Sequence, residues 1–374
     1  MTMGRKIRIA VLFNEPVSSD AKSWKYVGEN GQLKAARAAD NARKQVPQTS
    51  AGDQVDLSEM GVMEEMQDIK SALDDLGYRT SVMNVDGDIF RLIDYLREEK
   101  PDLIFNLVES VENESLQEMN VAGIYELLKI PYTGASALTL GIALQKARVK
   151  EILAYHGIKT PRYHLFDADD KVSSNGQLRF PVIVKPSHED ASVGISDKSV
   201  VYSVNDLRKR VRYIIHEFDQ PALVEEYIDG RELNVAILGN NPPVVLPISE
   251  IDFSGLSEGM HRIVSYEAKW VHGTIEYEGT KGVCPAALTA LQESRIKDMA
   301  LRCYTIIGCR DYARVDIRMT KEGVPYVLEV NPNPDISDDA GFARSARAYG
   351  LSFHGTVGRI IEICLERAKA EVRT

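Results

Sequence analysis

The sequence predicts a mixed α/β and α+β protein in three parts, opening with a parallel, nucleotide-fold-like α/β unit. Three observations predict it. Strand-like runs at Ile7–Phe13, Arg79–Val85 and Asp102–Val108 alternate with helical patterns at about Glu59–Leu76 and Ile89–Glu98, the order of a βαβ unit. From Arg231 onward the pattern is α+β, with a period-two hairpin at Ala313–Asn331 and a last helix whose Val357, Ile360, Ile361, Cys364 and Leu365 share one stripe. A length of 374 residues with 44% hydrophobic content suffices for one large core or for two to three coupled ones, the division the element pattern favours.

In chain order, the polar stretch between Val17 and Leu57 lacks a sustained apolar period and is expected to be a flexible insertion or a lid (17–57). Ser115 and Glu118 form a capping-box pattern opening a helix to Leu128, and Pro131-Tyr132-Thr133-Gly134 ends the unit in turn chemistry, giving a first domain at 1–141. Helices and strands from Lys146 to Ile228 make a small central domain at 142–228, and the remainder forms a third at 229–374. The formal charge of −10 and pI near 5.4 disfavour a nucleic-acid or anionic-membrane surface. Cys284, Cys303, Cys309 and Cys364 show neither a CxxC pair nor a secreted framework and read as reduced core residues. The start, Met-Thr-Met-Gly-Arg-Lys running directly into a strand, has no apolar segment long enough for a signal or a membrane span, so the expected location is the cytoplasm.

The chemistry concentrates in the hairpin. Ala313, Val315, Ile317 and Met319 alternate with Arg314, Asp316 and Arg318, and Tyr326, Leu328 and Val330 alternate with Val327, Glu329 and Asn331. A two-residue turn at Glu322-Gly323 pairs residues whose numbers sum to 645, setting Asp316 opposite Glu329 and Arg314 opposite Asn331. Facing side chains then lie roughly 5 Å apart at Cβ. Opposed carboxylates destabilise a sheet unless a cation lies between them, and Asp, Glu and an Asn carbonyl are the hard oxygen ligands that Mg²⁺ accepts. An odd-length loop would slip the register by one and separate the two carboxylates. The same pattern also describes the solvated face of an ordinary hairpin.

Two further stretches carry polar chemistry. In Phe180-Pro-Val-Ile-Val-Lys185-Pro-Ser187-His-Glu-Asp-Ala-Ser192-Val-Gly194 a buried strand delivers a lysine and then enters a small-residue loop. Such a loop wraps phosphates with its N–H groups while the lysine supplies a point charge, and it equally describes a lysine snorkelling beside a plain turn. In Ala222-Leu-Val-Glu225-Glu226-Tyr227-Ile228-Asp-Gly-Arg231-Glu232 a strand ends in an acidic hinge. Strand-end backbone can bond an adenine edge and a carboxylate can hold ribose hydroxyls, although an acidic loop is the plainer reading.

In this order, these segments resemble the ATP-grasp superfamily and, within it, the D-alanine–D-alanine ligase group. The resemblance spans nearly the whole chain through Pro131-Tyr-Thr-Gly134, Lys146 opening a helix, Lys185-Pro-Ser-x-Glu-x-x-Ser-Val-Gly194, Val224-Glu225, Glu232, Tyr266-Glu-Ala-Lys269, Cys284-Pro-Ala286, Ala313-Arg-Val-Asp316 and Leu328-Glu-x-Asn331. It implies a pre-ATP-grasp domain followed by two ATP-grasp subdomains that hold ATP between their sheets. The implied reaction joins a carboxylate to an amine through an acyl phosphate, releasing ADP and phosphate. By position, the resemblance assigns Lys146, Lys185, Ser192, Val193 and Lys269 to the phosphates, Glu225, Glu226, Tyr227 and Ile228 to the adenine, and Glu232 to the ribose. Asp316, Glu329 and Asn331 would hold two Mg²⁺, with Mn²⁺ as a substitute. Arg314, Glu15, Lys269 and Ser192 make the implied catalytic set, Glu15 meeting the first substrate's amino group.

The departures from the family fall on the substrate side. Asn106-Leu-Val-Glu109-Ser-Val-Glu-Asn-Glu114-Ser-Leu-Gln117 lacks the family's His-Gly start, Ala191 and Trp270 replace a serine and a tyrosine, and Ala340 aligns with a serine that anchors the second amino acid. Asn331-Pro-Asn333-Pro334-Asp335-Ile-Ser337 replaces Asn-Thr-x-Pro-Gly-Met-Thr. Asp335, Asp338 and Asp339 point to a cationic or amine-rich acceptor, or are loop caps. The expectation is a ligase for amino-acid-like small molecules other than two D-alanines, with a homodimer as the family's habit. A ligase acting on a peptide or protein terminus, and an ATP-binding protein without ligation, are the other readings.

Overall fold

A computed structural model describes residues 5–14, 24–28, 33–36, 53–55, 57–112, 114–168, 170, 172 and 178–371, with the backbone alone for 24–28, 33–36, 53–55 and 57–60. The N-terminal sheet is parallel, with Arg8–Phe13 between Arg79–Asn84 and Leu103–Leu107. All five residues of Leu103–Leu107 are buried, as befits a parallel strand covered on both faces. Pro131 and Thr133 bond Ile104 and extend this edge, so the predicted turn segment also adds a short parallel bridge. Helices Leu57–Asp75 and Ile89–Glu99 fall where the apolar periods place them. The predicted capping box does not form: the next helix runs Gln117–Leu127 with Leu116 at its N-cap and no side-chain cap. Glu118 is buried and turned toward Asn333, so its carboxyl is not available to the helix start.

The central sheet is antiparallel in the order Tyr163–Phe166, Ala222–Glu226, Val182–Pro186, Val200–Val201, backed by the amphipathic helix Val204–Phe218. The third sheet runs Lys281–Val283, Ser249–Asp252, Gly230–Leu238, Tyr312–Thr320, Pro325–Asn331, with Val244–Val245 hairpinned onto Gly230–Leu238. One face of it packs Leu233, Val235, Ile237, Val315 and Ile317 on helix Ala290–Ile307. Within the 17–57 stretch, Trp24–Gly28 pairs antiparallel with Leu33–Ala36 and with Asp53–Val55. The described parts of that predicted flexible insertion are therefore a small sheet. The last helix, Phe353–Glu371, buries its predicted stripe, and Val357, Ile360, Ile361 and Cys364 join Ile9, Val11 and Ile69 in the N-terminal core. The chain's end thus returns to its beginning. No helix of the described residues is long and apolar enough to cross a membrane, and all four cysteines are free.

Candidate active site

The open face of the third sheet carries a polar row across four strands. Ser249 pairs with Asn234, Asn234 with Asp316, and Asp316 with Glu329. Period-two alternation puts these four on one face while Val315 and Ile317 enter the core. Asp316 sits opposite Glu329 and Arg314 opposite Asn331, as predicted, but by another route. The loop has three residues, because Thr320 N–H bonds Val324 O and Gly323 takes the left-handed conformation at φ +80°. Pairing starts one residue out of the predicted register, with Met319 opposite Pro325 and Ile317 opposite Val327. A β-bulge at Leu328 then restores it before Glu329. Leu328 is consequently the inserted residue, and Val327, predicted for the polar face, is buried in the core beside Val330.

Each oxygen of Asp316 accepts two donors. Arg314 Nε and Asn234 Nδ2 reach Oδ1, both at 2.8 Å; Arg314 Nη2 and Asn331 Nδ2 reach Oδ2 at 2.9 and 3.0 Å. Asn331 Nδ2 also lies 3.4 Å from Glu329 Oε1. Burial opposes ionisation of Glu329, but Lys146, Lys185, Arg314 and the Asn331 bond outweigh it and hold the carboxyl down at about 2. Within the fold this opposed pair is answered by several cations: Arg314 pairs with Asp316, which holds it charged, and Lys146, Lys185 and Arg314 act on Glu329.

The predicted lysines divide between two places. Lys146 Nζ donates to Asp190 Oδ1 at 2.6 Å and Glu189 O at 2.7 Å, and Lys185 Nζ meets Glu225 Oε2 at 3.1 Å; both charges act on Glu329. Lys269, on helix Tyr266–Trp270, lies over the Trp270 ring at 5.0 Å, and its charge acts on Glu65 and Glu109. The loop after Lys185 holds Ala191 and Ser192 at positive φ, and Gly194 is required because a Cβ there would lie 2.7 Å from the Phe218 ring. Ser192 Oγ donates to Val264 O at 2.9 Å, while Val193 N–H bonds Asp190 O and its side chain packs with Tyr266 and Trp270. Trp270 Nε1 donates to Ala191 O at 3.0 Å, so the two residues flagged as departures from the family meet each other.

In the hinge, Glu225 points inward. Its carboxylate lies 2.9 Å from Lys150 and 3.1 Å from Lys185, all three groups buried, and despite burial the two lysines hold it ionised. Glu226 Oε1 accepts Arg179 N–H, Tyr227 N–H bonds Pro181 O, and Ile228 O accepts Arg318. Glu232 Oε2 takes both Nε and Nη2 of Arg318, at 3.0 and 2.7 Å. Burial still raises the Glu232 carboxyl above its ordinary value. Glu15 lies outside the described residues.

Sequence reasoning missed Lys150, Asn234, Arg318 as a partner of Glu232, and Glu65. The signals were present: Lys150 follows Lys146 by one helical turn, and Asn234 and Arg318 lie two residues from Glu232 and Asp316 on the same strand faces. Glu65 accepts Ile336 N–H at 3.0 Å, a contact across 271 residues that no local pattern reveals. Asp335 accepts the Ser337 N–H and Oγ–H and so caps its own loop, Asp339 Oδ1 lies 3.3 Å from the same hydroxyl, and Asp338 pairs with Arg347. Asp335 nevertheless adds its charge to the cleft. The Glu109 side chain keeps contact with solvent, and crowding by the cleft walls and then Asp335 raise its carboxyl to about 7 against the pull of Lys269. For a carboxyl raised from 4.5, the folded state binds the extra proton, so its stability contribution is full below 4.5 and is lost as pH rises through about 7. Melting curves at pH 5 and 8 are therefore expected to show Glu109→Gln flattening the pH dependence and melting higher than the parent at pH 8. Identical slopes for both proteins would refute it.

Comparison with known proteins agrees with this architecture. Residues 151–362 match the model of the D-ala D-ala ligase C-terminus. An uncharacterized protein of Sinorhizobium fredii is 32% identical over 304 residues, 80% of this chain and 87% of that one. The D-alanine–D-alanine ligase of Desulforudis audaxviator is 32% identical over 300 residues, 79% of this chain and 91% of its own. The crystal structure of the Bacillus anthracis D-alanine–D-alanine ligase superposes with a TM-score of 0.71 at 25% identity, covering 98% of this chain and 99% of that one. A second structure of that ligase, complexed with ATP, gives 0.70 at 23% identity, also over 98% of this chain and 99% of that one. The fold and the lysine–carboxylate cleft define an ATP-grasp ligase. Within that class, the chain belongs to the D-alanine–D-alanine ligase family.

Proposed function

We propose that this ligase uses ATP and Mg²⁺ to join a carboxylate to an amine through an acyl phosphate, with amino-acid-like substrates other than two D-alanines. The observation that carries it is the convergence of Asp316, Glu329 and Asn331 with Arg314, Lys146 and Lys185 in one cleft. Among the described residues no group of three His, Cys, Asp or Glu side chains could hold a metal alone. Two carboxylates and an amide oxygen fit Mg²⁺ when phosphates complete its shell, and the ionised state of Glu329 suits that role. A half-turn of the Asn331 amide offers its oxygen in place of the nitrogen that now bridges the two acids. When bound, two Mg²⁺ ions, or Mn²⁺, would neutralise the phosphate charge.

The chain's own groups do the rest. Lys146 and Lys185, with the loop through Ser192 and Val193, hold the phosphates, and Lys269 reaches them from the Trp270 side. The Glu225–Ile228 hinge receives the adenine, Glu225 by fixing Lys185 and Lys150. Glu232, with one oxygen engaged by Arg318, takes the ribose. Arg314, turned from Asp316, stabilises the charge of the tetrahedral intermediate. Glu15 receives the first substrate's amino group. Different substrates are supported by the Trp270–Ala191 bond, which stands where the family uses two hydroxyls, and by Ala340, which caps its helix without a side-chain bond. We further propose domains at 1–141, 142–228 and 229–374, a cytoplasmic location and a homodimer.

Phosphate release from ATP and Mg²⁺ across single and paired amino acids, dipeptides and amino-carboxylates, with products weighed by mass spectrometry, tests the proposal. Release that depends on a particular pair, with a product mass equal to condensation minus water, is expected. Release with D-alanine alone, giving D-alanyl-D-alanine, would overturn the substrate assignment, and ATP binding without release in any mixture would overturn ligation of small molecules.

A further inference from the structure

The metal-binding face of the hairpin depends on a repair. Carried onward from the three-residue loop, the pairing of Met319 with Pro325 and Ile317 with Val327 would set Glu329 opposite Val315 and turn its carboxyl into the core. The bulge at Leu328 prevents this, and a bulge leaves its inserted residue without a ladder partner. Here the Leu328 carbonyl has a specific acceptor role: it takes a hydrogen bond from Lys150 Nζ at 3.1 Å. Lys150 is 1% exposed, and its ammonium is anchored on the other side by Glu225 Oε1 at 2.9 Å. Beside it, Val327 N–H bonds Lys159 O at 2.9 Å, so the outer edge of the strand is held on both sides of the inserted residue by the helix Lys146–Tyr155 and the loop that follows it.

We infer that Lys150 is a positioning residue that holds the bulge and thereby keeps Glu329 facing Asp316. Lys150 touches no reacting group; it acts through the strand. Lys146, one turn earlier on the same helix, lies on the cleft side, so one helix supplies both a phosphate-facing lysine and the support of the carboxylate opposite it. The ion pair with Glu225 adds a link to Lys185, so the hinge, the phosphate lysine and the metal hairpin share one buried ammonium. Removing it would take away the hydrogen bond that the Leu328 carbonyl receives from Lys150, which favours the pairing that lacks the bulge.

This inference rests on the metal role proposed for Glu329, and two readouts separate them. ATP binding to the full chain is measured calorimetrically in EDTA and in Mg²⁺, and backbone amide hydrogen exchange is followed over Pro325–Asn331. In Lys150→Met the gain in ATP affinity conferred by Mg²⁺ is expected to fall about ten-fold or more, as for other residues that orient metal ligands, and the amides of Glu329 and Val330 to exchange faster. Lys150→Arg, which keeps the donor and the charge, is expected to preserve both; if Lys150→Met does not fold, Lys150→Gln takes its place. An unchanged Mg²⁺ gain with unchanged exchange would overturn the inference, as would a loss of ATP affinity equally large in EDTA and in Mg²⁺. A parent protein whose ATP binding ignores Mg²⁺ would refute the hairpin's metal role instead, and the exchange readout would still decide whether Lys150 holds the bulge.

Discussion

Glu329→Gln is expected to abolish ATP-dependent phosphate release, by about a thousand-fold or more, with the fold intact. The substitution keeps the side chain's shape and removes one of two carboxylate charges. Metal-assisted charge neutralisation contributes several kcal/mol to such a transition state, and each 1.36 kcal/mol is about ten-fold in rate. Glu329 is half-buried at the cleft and its ionisation is held by Lys146, Lys185 and Arg314 rather than by core packing. Asp316→Asn is expected to be equally inactive but less innocent. Asp316 accepts four hydrogen bonds and is the only salt-bridge partner of Arg314 among the described residues, so losing the charge should cost about 1–3 kcal/mol. Circular dichroism, urea unfolding and phosphate release on the two variants check this. Unchanged turnover with unchanged Mg²⁺ dependence in either would remove the hairpin from the site.

The largest stability effect is expected at Glu225. Its carboxylate sits between Lys150 and Lys185 with all three side chains buried, and breaking such a cluster by removing one partner costs about 3–5 kcal/mol, because the stranded ammonium groups keep their desolvation penalty. Glu225→Gln should lower the urea midpoint accordingly. The sign with pH is also determined. The folded state holds the Glu225 carboxyl below 4.5, so its contribution is present above 4.5 and is lost as pH falls through the depressed folded value. Glu225→Gln should therefore lose most stability near neutrality and little in strong acid. Glu225→Gln combined with Lys150→Met should cost less than the sum of the two single changes, since the pair shares one interaction. Additive losses would show that the two groups act independently.

Local patterning made much of the fold legible. The parallel strands, their two helices and the stripe of the last helix occur within two residues of where apolar periodicity puts them, because burial on one face imposes period 2 or 3.6 on the residues themselves. The facing of Asp316 and Glu329 was likewise legible, although its cause was not. A three-residue loop and a bulge at Leu328 each shift the register by one, and together they cancel. The capping box at Ser115–Glu118 failed because the carboxyl finds its partner in Asn333, more than two hundred residues away.

The sequence by itself determined the class of elements, the acid hairpin, the lysine-bearing strand and the family to which their order belongs. Those are local properties: alternation, turn chemistry and spacing are written in consecutive residues. Tertiary structure alone decided which charges answer which. Lys150 and Lys185 close on Glu225, Arg318 on Glu232 and Arg314 on Asp316, while Lys269 lies over Trp270 and its charge acts on Glu65 and Glu109. The reason is electrostatic. A buried charge must find its counter-charge within a few ångströms, and which groups come that close is set by how three sheets and the last helix pack, a fact with no period in the chain.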